Sequence, residues 1–176
     1  MLFLRFFRQL FAKKERNDDE FLESIDAAFS GNRIDIPIET FTLKPYKPKP
    51  CKEACFPLQS GKLSKGEKIC LDTLESYYQK KFYRVRPSFL RNPETGKNLE
   101  IDCFNAELGI GVEYNGKQHY HYPSFPGDTK EKFVKRIKRD LLKLKVCKSL
   151  NVYIIVVPYN ISEKDIPEFI ISRLPK

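Results

Sequence analysis

Hydrophobic and polar residues alternate along two neighbouring stretches in the middle of the chain. The first covers residues 99 to 104 and the second covers residues 109 to 115, with a short turn between them. An alternation with a period of two predicts a pair of strands. Because successive side chains point to opposite faces, Glu113 and Asn115 fall on one face, and Asp102 points away from its apolar neighbours. If the strands pair as a hairpin, we expect Asp102 and Glu113 to converge.

The apolar pattern on either side predicts the remaining elements of one domain over residues 63 to 176. They are a helix opened by a capping box at Ser64, a strand at residues 81 to 87, a helix from Asp128 to about Leu150 opened by a second capping box with Glu131, a buried strand at residues 152 to 157, and a helix from Ser162 to Leu174. The order helix, three strands, helix, strand, helix predicts an α/β fold in which helices flank a mixed β-sheet.

Two segments precede this domain. Residues 36 to 62 are rich in proline and predict an extended linker, and residues 1 to 35 predict a helical arm. Within the arm, Met1 to Lys14 form a basic amphipathic helix that is too interrupted by charge to span a bilayer. It lies on a membrane surface, targets an organelle, docks on a protein partner, or packs on the chain's own core.

Composition narrows the class of protein further. The net charge of +9 favours a polyanionic partner. Five cysteines at irregular spacing do not form a disulfide framework, so we expect Cys51 and Cys55 to be unpaired thiols. Such cysteines are typical of a reducing, intracellular setting in the cytoplasm, nucleoid or nucleus. The sequence leaves the oligomeric state open.

Two carboxylates held close together are costly unless a cation or a proton lies between them. A ligand set made only of oxygen suits Mg²⁺ or Mn²⁺ better than zinc. The alternative is that Asp102 and Glu113 are ordinary solvated charges at the edge of a hairpin. Gly116 permits a sharp turn after the second strand, which would bring residues 117 to 119 back over the carboxylates.

These residues resemble the PD-(D/E)XK nuclease superfamily. Glu113, Asn115 and His119 form the string E-x-N-G-x-x-H, eleven residues after the strand aspartate Asp102. The string is similar to that of the very-short-patch-repair-like branch, whose members are found in bacteria, phages and large DNA viruses. The resemblance covers roughly residues 63 to 160.

The chain departs from the superfamily pattern at two positions. Ile101 stands where a proline precedes the aspartate, and Asn115 stands where many members have the catalytic lysine. The resemblance implies a restriction-endonuclease-like αβββαβα core. It also implies a metal-dependent endonuclease that hydrolyses phosphodiester bonds in DNA. The departures keep open a second function, a catalytically inactive nuclease-fold domain that binds nucleic acid or a protein.

The resemblance also implies roles for individual side chains. Asp102 and Glu113 would bind Mg²⁺ or Mn²⁺, with a backbone carbonyl near Tyr114 as a further ligand, and His119 would accept a proton or position the water. Lys117 or Gln118 would replace part of the missing lysine. The implied catalytic set is Glu67, Asp102, Glu113, Asn115, Lys117, Gln118 and His119. Glu67 has an alternative role, since it also completes the capping box with Ser64.

Positive charge is concentrated in the predicted helix after residue 128. Residues 130 to 148 carry nine Lys or Arg against Glu131 and Asp140, which favours binding to backbone phosphates. DNA is the expected partner, although a basic surface does not distinguish DNA from RNA or from an acidic protein. The expected contacts come from Arg84, Arg86, Arg91, Lys135, Arg136, Arg139 and Lys143.

Overall fold

A computed structural model describes residues 33–44, 46–53, 55, 57–58 and 61–175. Its elements are, in order, β1 (Ile34–Asp35), α1 (Lys65–Tyr78), β2 (Tyr83–Val85), β3 (Ile101–Asn105), β4 (Ile110–Asn115), β5 (His121–Tyr122), α2 (Lys130–Ser149), β6 (Tyr153–Pro158) and α3 (Ile166–Ile171). The amphipathic helix expected over residues 1 to 14, and most of the arm, lie outside the described residues. A search of the described helices finds none that is long and apolar enough to cross a membrane.

Four strands form the main sheet in the order β2, β3, β4, β6. The first three are antiparallel to their neighbours, and β4 pairs with β6 in parallel. Strands β1 and β5 form a separate antiparallel pair. The predicted mixed sheet flanked by helices is therefore confirmed, and so is the predicted hairpin of β3 and β4.

Two hydrophobic cores hold the helices against the sheet. On one face, Ile154 of β6 packs with Ile137 and Leu141 of α2. On the other face, Val112 of β4 packs with Leu74 of α1 and with residues of α3. Because α2 covers one face alone, its polar residues at the end of β4 face the same surface as the odd-numbered residues of that strand.

The two predicted capping boxes have different outcomes. At α1, Ser64 Oγ accepts from the backbone N–H of Glu67 and the Ser64 N–H donates to Glu67 Oε2, so that box is confirmed. The box predicted at Asp128 is wrong, because α2 begins one residue later and its N-cap is Thr129. Asp128 instead accepts from the Ser124 N–H and pairs with Arg136, which holds the preceding loop.

The proline-rich segment follows the surface of the domain. Its residues Ile36 and Phe41 are buried in the core under α2. Further along, the Tyr46 hydroxyl donates to the carbonyl of Val152, and the Lys49 N–H donates to the carbonyl of Asn151. The extended chain is thus anchored by side-chain burial and by hydrogen bonds to the start of β6.

Candidate active site

An open groove of about 810 Å³ lies between the first half of α2 and the loop of residues 92 to 100. The adjoining strands β3 and β4 supply its floor, because both Asp102 and Glu113 line it. Both carboxylates therefore lie in the same groove, as the alternation predicts. Helix α2 adds Asp140 and Lys143 to the same floor.

Glu113 and Lys143 form a nearly buried ion pair on this floor. Lys143 Nζ donates to Glu113 Oε2 at 2.5 Å, and the two side chains are 12% and 9% exposed, respectively. The other oxygen, Glu113 Oε1, is buried and has no hydrogen-bond partner among the described residues. Burial raises the pKa of Glu113 to about 8, against the opposing effect of the Lys143 charge. One carboxylate oxygen is thus available to a second cation.

Asp102 is held by the neighbouring strand. Its Oδ2 accepts from the backbone N–H of Tyr114 at 3.0 Å. Burial raises the pKa of Asp102, and the Tyr114 hydrogen bond and the Lys143 charge oppose that rise. The Tyr114 ring packs over Gly66 of α1, where an added Cβ would lie 2.4 Å from the ring. Close contact between α1 and β4 therefore fixes the backbone that positions Asp102.

His119 and Asp140 form a second pair in the groove. His119 Nδ1 lies 2.6 Å from Asp140 Oδ2, and the two side chains are 20% and 13% exposed. An ionised carboxylate only accepts hydrogen bonds, so this contact assigns a proton to Nδ1. In the neutral imidazole, Nε2 is then the basic nitrogen. Asp140 thereby fixes the tautomer in which His119 can accept a proton.

The turn after β4 brings back part of the predicted string. Gly116 precedes a short 3-10 turn, Lys117–His119. Gln118 and His119 line the groove, whereas Lys117 is exposed and lies outside its lining. Asn115 is buried and shares a small cavity with Glu113, Asp140 and Lys143. Lys117 is therefore not placed to act on the groove floor, and the lysine beside Asn115 comes from α2.

Glu67 lies at the groove with both of its possible partners. In addition to capping α1, its Oε2 accepts from Arg84 at 2.6 Å. Arg84 also pairs with Glu100, which in turn pairs with Arg86. Glu67 thus belongs to a chain of ion pairs along one edge of the groove, and its carboxylate is already neutralised.

The basic residues expected to contact nucleic acid divide into two groups. Arg84 and Arg86 are paired with carboxylates, and Arg136 donates to the Gln118 carbonyl at 2.8 Å while it pairs with Asp128. Lys135 and Arg139 are exposed on the groove rim. The rim also includes Lys132, which the sequence did not single out. Arg91 is exposed outside the groove lining, and Lys143 is on the floor.

The donors on the floor fit a divalent cation that keeps much of its water. No group of three or more His, Cys, Asp or Glu side chains that could enclose a metal occurs among the described residues. Mg²⁺, however, is usually bound through one or two carboxylates, with water and phosphate completing its shell. Asp102 and the unpartnered Oε1 of Glu113 supply two such carboxylates.

Two residues of this site were missed or misassigned from the sequence. Asp140 was not placed in the site, and Lys143 was expected on the outer surface rather than on the floor. Their signal is visible in retrospect, because both flank the apolar stripe of α2 formed by Ile137, Leu141 and Leu144. Polar residues one turn apart beside a buried stripe are typical of a shared functional face.

Comparison with known proteins finds similarity to uncharacterized viral proteins. The chain is 49% identical over 111 residues to protein 033L of Invertebrate iridescent virus 3, covering 63% of the chain and 57% of the relative. It is 41% identical over 126 residues to protein 307L of Invertebrate iridescent virus 6, covering 63% of each. Against protein 094L of Frog virus 3 the identity is 37% over 101 residues, covering 57% of the chain and 65% of the relative.

The chain thus spans about three fifths of the length of these relatives. No protein-family model matches it. No solved structure matches it either.

Proposed function

We propose that the protein is a metal-dependent endonuclease that hydrolyses phosphodiester bonds in DNA, with a restriction-endonuclease-like core. The observation that carries the proposal is the buried Glu113 carboxylate, with Lys143 on one oxygen and no partner on the other. A buried carboxylate of this kind is costly, and a cation offsets the cost. The resemblance of the E-x-N-G-x-x-H string to the PD-(D/E)XK superfamily supports the same chemistry.

Asp102 and Glu113 are the residues that would hold Mg²⁺ or Mn²⁺. When bound, the cation lowers the pKa of a coordinated water and stabilises charge on the phosphate. The Tyr114 N–H keeps Asp102 in place, and its backbone carbonyl remains the proposed further ligand.

Lys143 and His119 divide the remaining work. The Lys143 ammonium orients Glu113 and supplies a positive charge beside the phosphate that enters the groove. Asp140 holds His119 with Nε2 as its basic nitrogen, so His119 can accept a proton from water. Lys135 and Arg139 on the rim bind neighbouring phosphates.

Cleavage of labelled DNA and RNA substrates tests this function. The panel includes duplex, nicked, mismatched and single-stranded forms, each with Mg²⁺, Mn²⁺ or EDTA. We expect DNA cleavage that requires metal and that is lost in Asp102→Asn and Glu113→Gln. Glu107→Gln is the matched control, because Glu107 is an exposed carboxylate outside the groove. Equal cleavage by Glu113→Gln and wild type would overturn the proposal.

A second candidate is a nuclease-fold domain that binds without cutting. Lys143 already neutralises one oxygen of Glu113, so the floor is partly satisfied with no divalent cation. Such a domain would bind DNA equally well in EDTA and in Mg²⁺. It would also leave every substrate of the panel intact.

A further inference from the structure

The two walls of the groove differ in charge. Helix α2 contributes four cations to one wall, namely Lys132, Lys135, Arg136 and Arg139. The opposite wall, residues 92 to 100, contributes Lys97 and two carboxylates. A wall with a net negative charge repels phosphates, so the strand's backbone is expected to lie along α2.

The opposite wall carries a rigid turn. The Asn92 N–H donates to the Lys97 carbonyl at 2.9 Å, and the Gly96 N–H donates back to the Asn92 carbonyl at 2.8 Å. Asn92 is buried, and its side-chain oxygen accepts from the Glu94 N–H. Below the turn, Arg91 and Asn98 form a β-bridge. The turn therefore presents its side chains from a fixed backbone.

Three polar side chains of this turn line the groove: Glu94, Thr95 and Asn98. Glu94 and Thr95 are exposed, and neither the Glu94 carboxylate nor the Asn98 amide makes a side-chain hydrogen bond within the described part of the chain. These residue types recognise base edges: a carboxylate accepts from the amino group of cytosine, an amide pairs with adenine, and a hydroxyl bonds to either. Such groups held on a rigid support match base recognition better than phosphate binding.

We propose that the turn of residues 92–98 reads base edges beside the phosphate held in the groove, while α2 binds the backbone of the same strand. The inference rests on the proposed function for the position of the nucleic acid. It assigns a specificity-determining role to Glu94, Thr95 and Asn98, and its ligands are bases with exocyclic amino groups. The protein is then selective for sequence near the site at which it acts.

Selection of bound oligonucleotides from a random DNA pool tests this inference. The full chain is used in EDTA, so the readout needs no cleavage. We expect wild type to enrich a preferred sequence at least about fivefold, and Glu94→Gln and Asn98→Ala each to remove part of that preference while total binding changes little. The double variant Lys135→Ala/Arg139→Ala is expected to weaken binding to all sequences and to keep the preference.

Glu107→Gln is the matched control and keeps the wild-type preference. A preference that is unchanged in Glu94→Gln, Thr95→Ala and Asn98→Ala would overturn the inference, and so would a wild type that enriches no sequence. Selective binding without cleavage would contradict the proposed hydrolysis and leave base reading in place. Cleavage by a protein whose selectivity ignores the turn would do the reverse.

Discussion

Lys143 donates to Glu113 inside the groove, and both side chains are nearly buried. Removing one partner of a buried ion pair leaves the other charge uncompensated. We therefore expect Lys143→Met to lower the free energy of unfolding by about 3 kcal/mol. The double variant Glu113→Gln/Lys143→Met should lose less than the single one, as measured by urea unfolding. A Lys143→Met protein as stable as wild type would show that the pair contributes little to folding.

Asn115 and Lys143 line the same small cavity, which allows their side chains to be exchanged. If the chemistry needs one ammonium near Glu113, Lys143→Asn should slow DNA cleavage by about 10²-fold. Adding Asn115→Lys to that variant should recover at least about tenfold of the loss, because the lysine returns at the position where superfamily members have it. Cleavage rate and thermal stability are measured together. Restored stability without restored cleavage would contradict this role of the lysine charge.

At the scale of elements, Glu75 joins the end of α1 to the start of the sheet. Its Oε1 accepts from the Phe82 N–H and its Oε2 pairs with Lys81. Burial acts to raise the pKa of Glu75, but the Phe82 hydrogen bond and Lys81 outweigh it, so the pKa lies below its ordinary value of 4.5.

A lowered pKa in the folded state stabilises the protein at every pH above 4.5, and that stability is lost as pH falls through the lowered value. Glu75→Gln should therefore cost about 1 kcal/mol at pH 7 and nothing near pH 2. Chemical denaturation at several pH values measures this difference. A cost that stays constant down to pH 2 would indicate a packing effect instead.

Helix α2 combines a buried stripe with a basic rim. Lys135 and Arg139 are exposed at the groove, whereas Arg136 is anchored to the Gln118 carbonyl. Lys135→Ala/Arg139→Ala should lower the slope of log binding constant against log salt by nearly 2, about 0.9 per phosphate contact. Lys148→Ala is the matched control, since Lys148 is exposed on α2 outside the groove. An unchanged slope in the double variant would place the phosphates elsewhere.

The elements were predictable where the pattern was strong. Alternation placed β3 and β4 correctly, and the β-branched run placed β6. The start of α2 was wrong because Asp128 and Thr129 are both good N-caps, and only the tertiary contact of Asp128 with Arg136 decides between them. Helix α3 is shorter than the pattern predicted, since its apolar residues continue into a turn that still packs on the sheet.

At the scale of the whole molecule, the site joins segments that are far apart in the chain. The pair of carboxylates could be predicted because Asp102 and Glu113 belong to one hairpin. Lys143 could not be placed from spacing, since its position depends on how α2 crosses the sheet 30 residues later. The same holds for the wall formed by residues 92 to 100, whose distance from α2 is set only by the packed domain.

The most direct test of the account is the rate of single-turnover cleavage of a DNA substrate as Mg²⁺ is increased, for wild type and Glu113→Gln. The account predicts a wild-type rate that rises with Mg²⁺ to saturation and falls to background in EDTA. Glu113→Gln should stay at least about 10²-fold slower at every Mg²⁺ concentration. A wild-type rate that is the same in EDTA, or a Glu113→Gln rate equal to that of wild type, would contradict it.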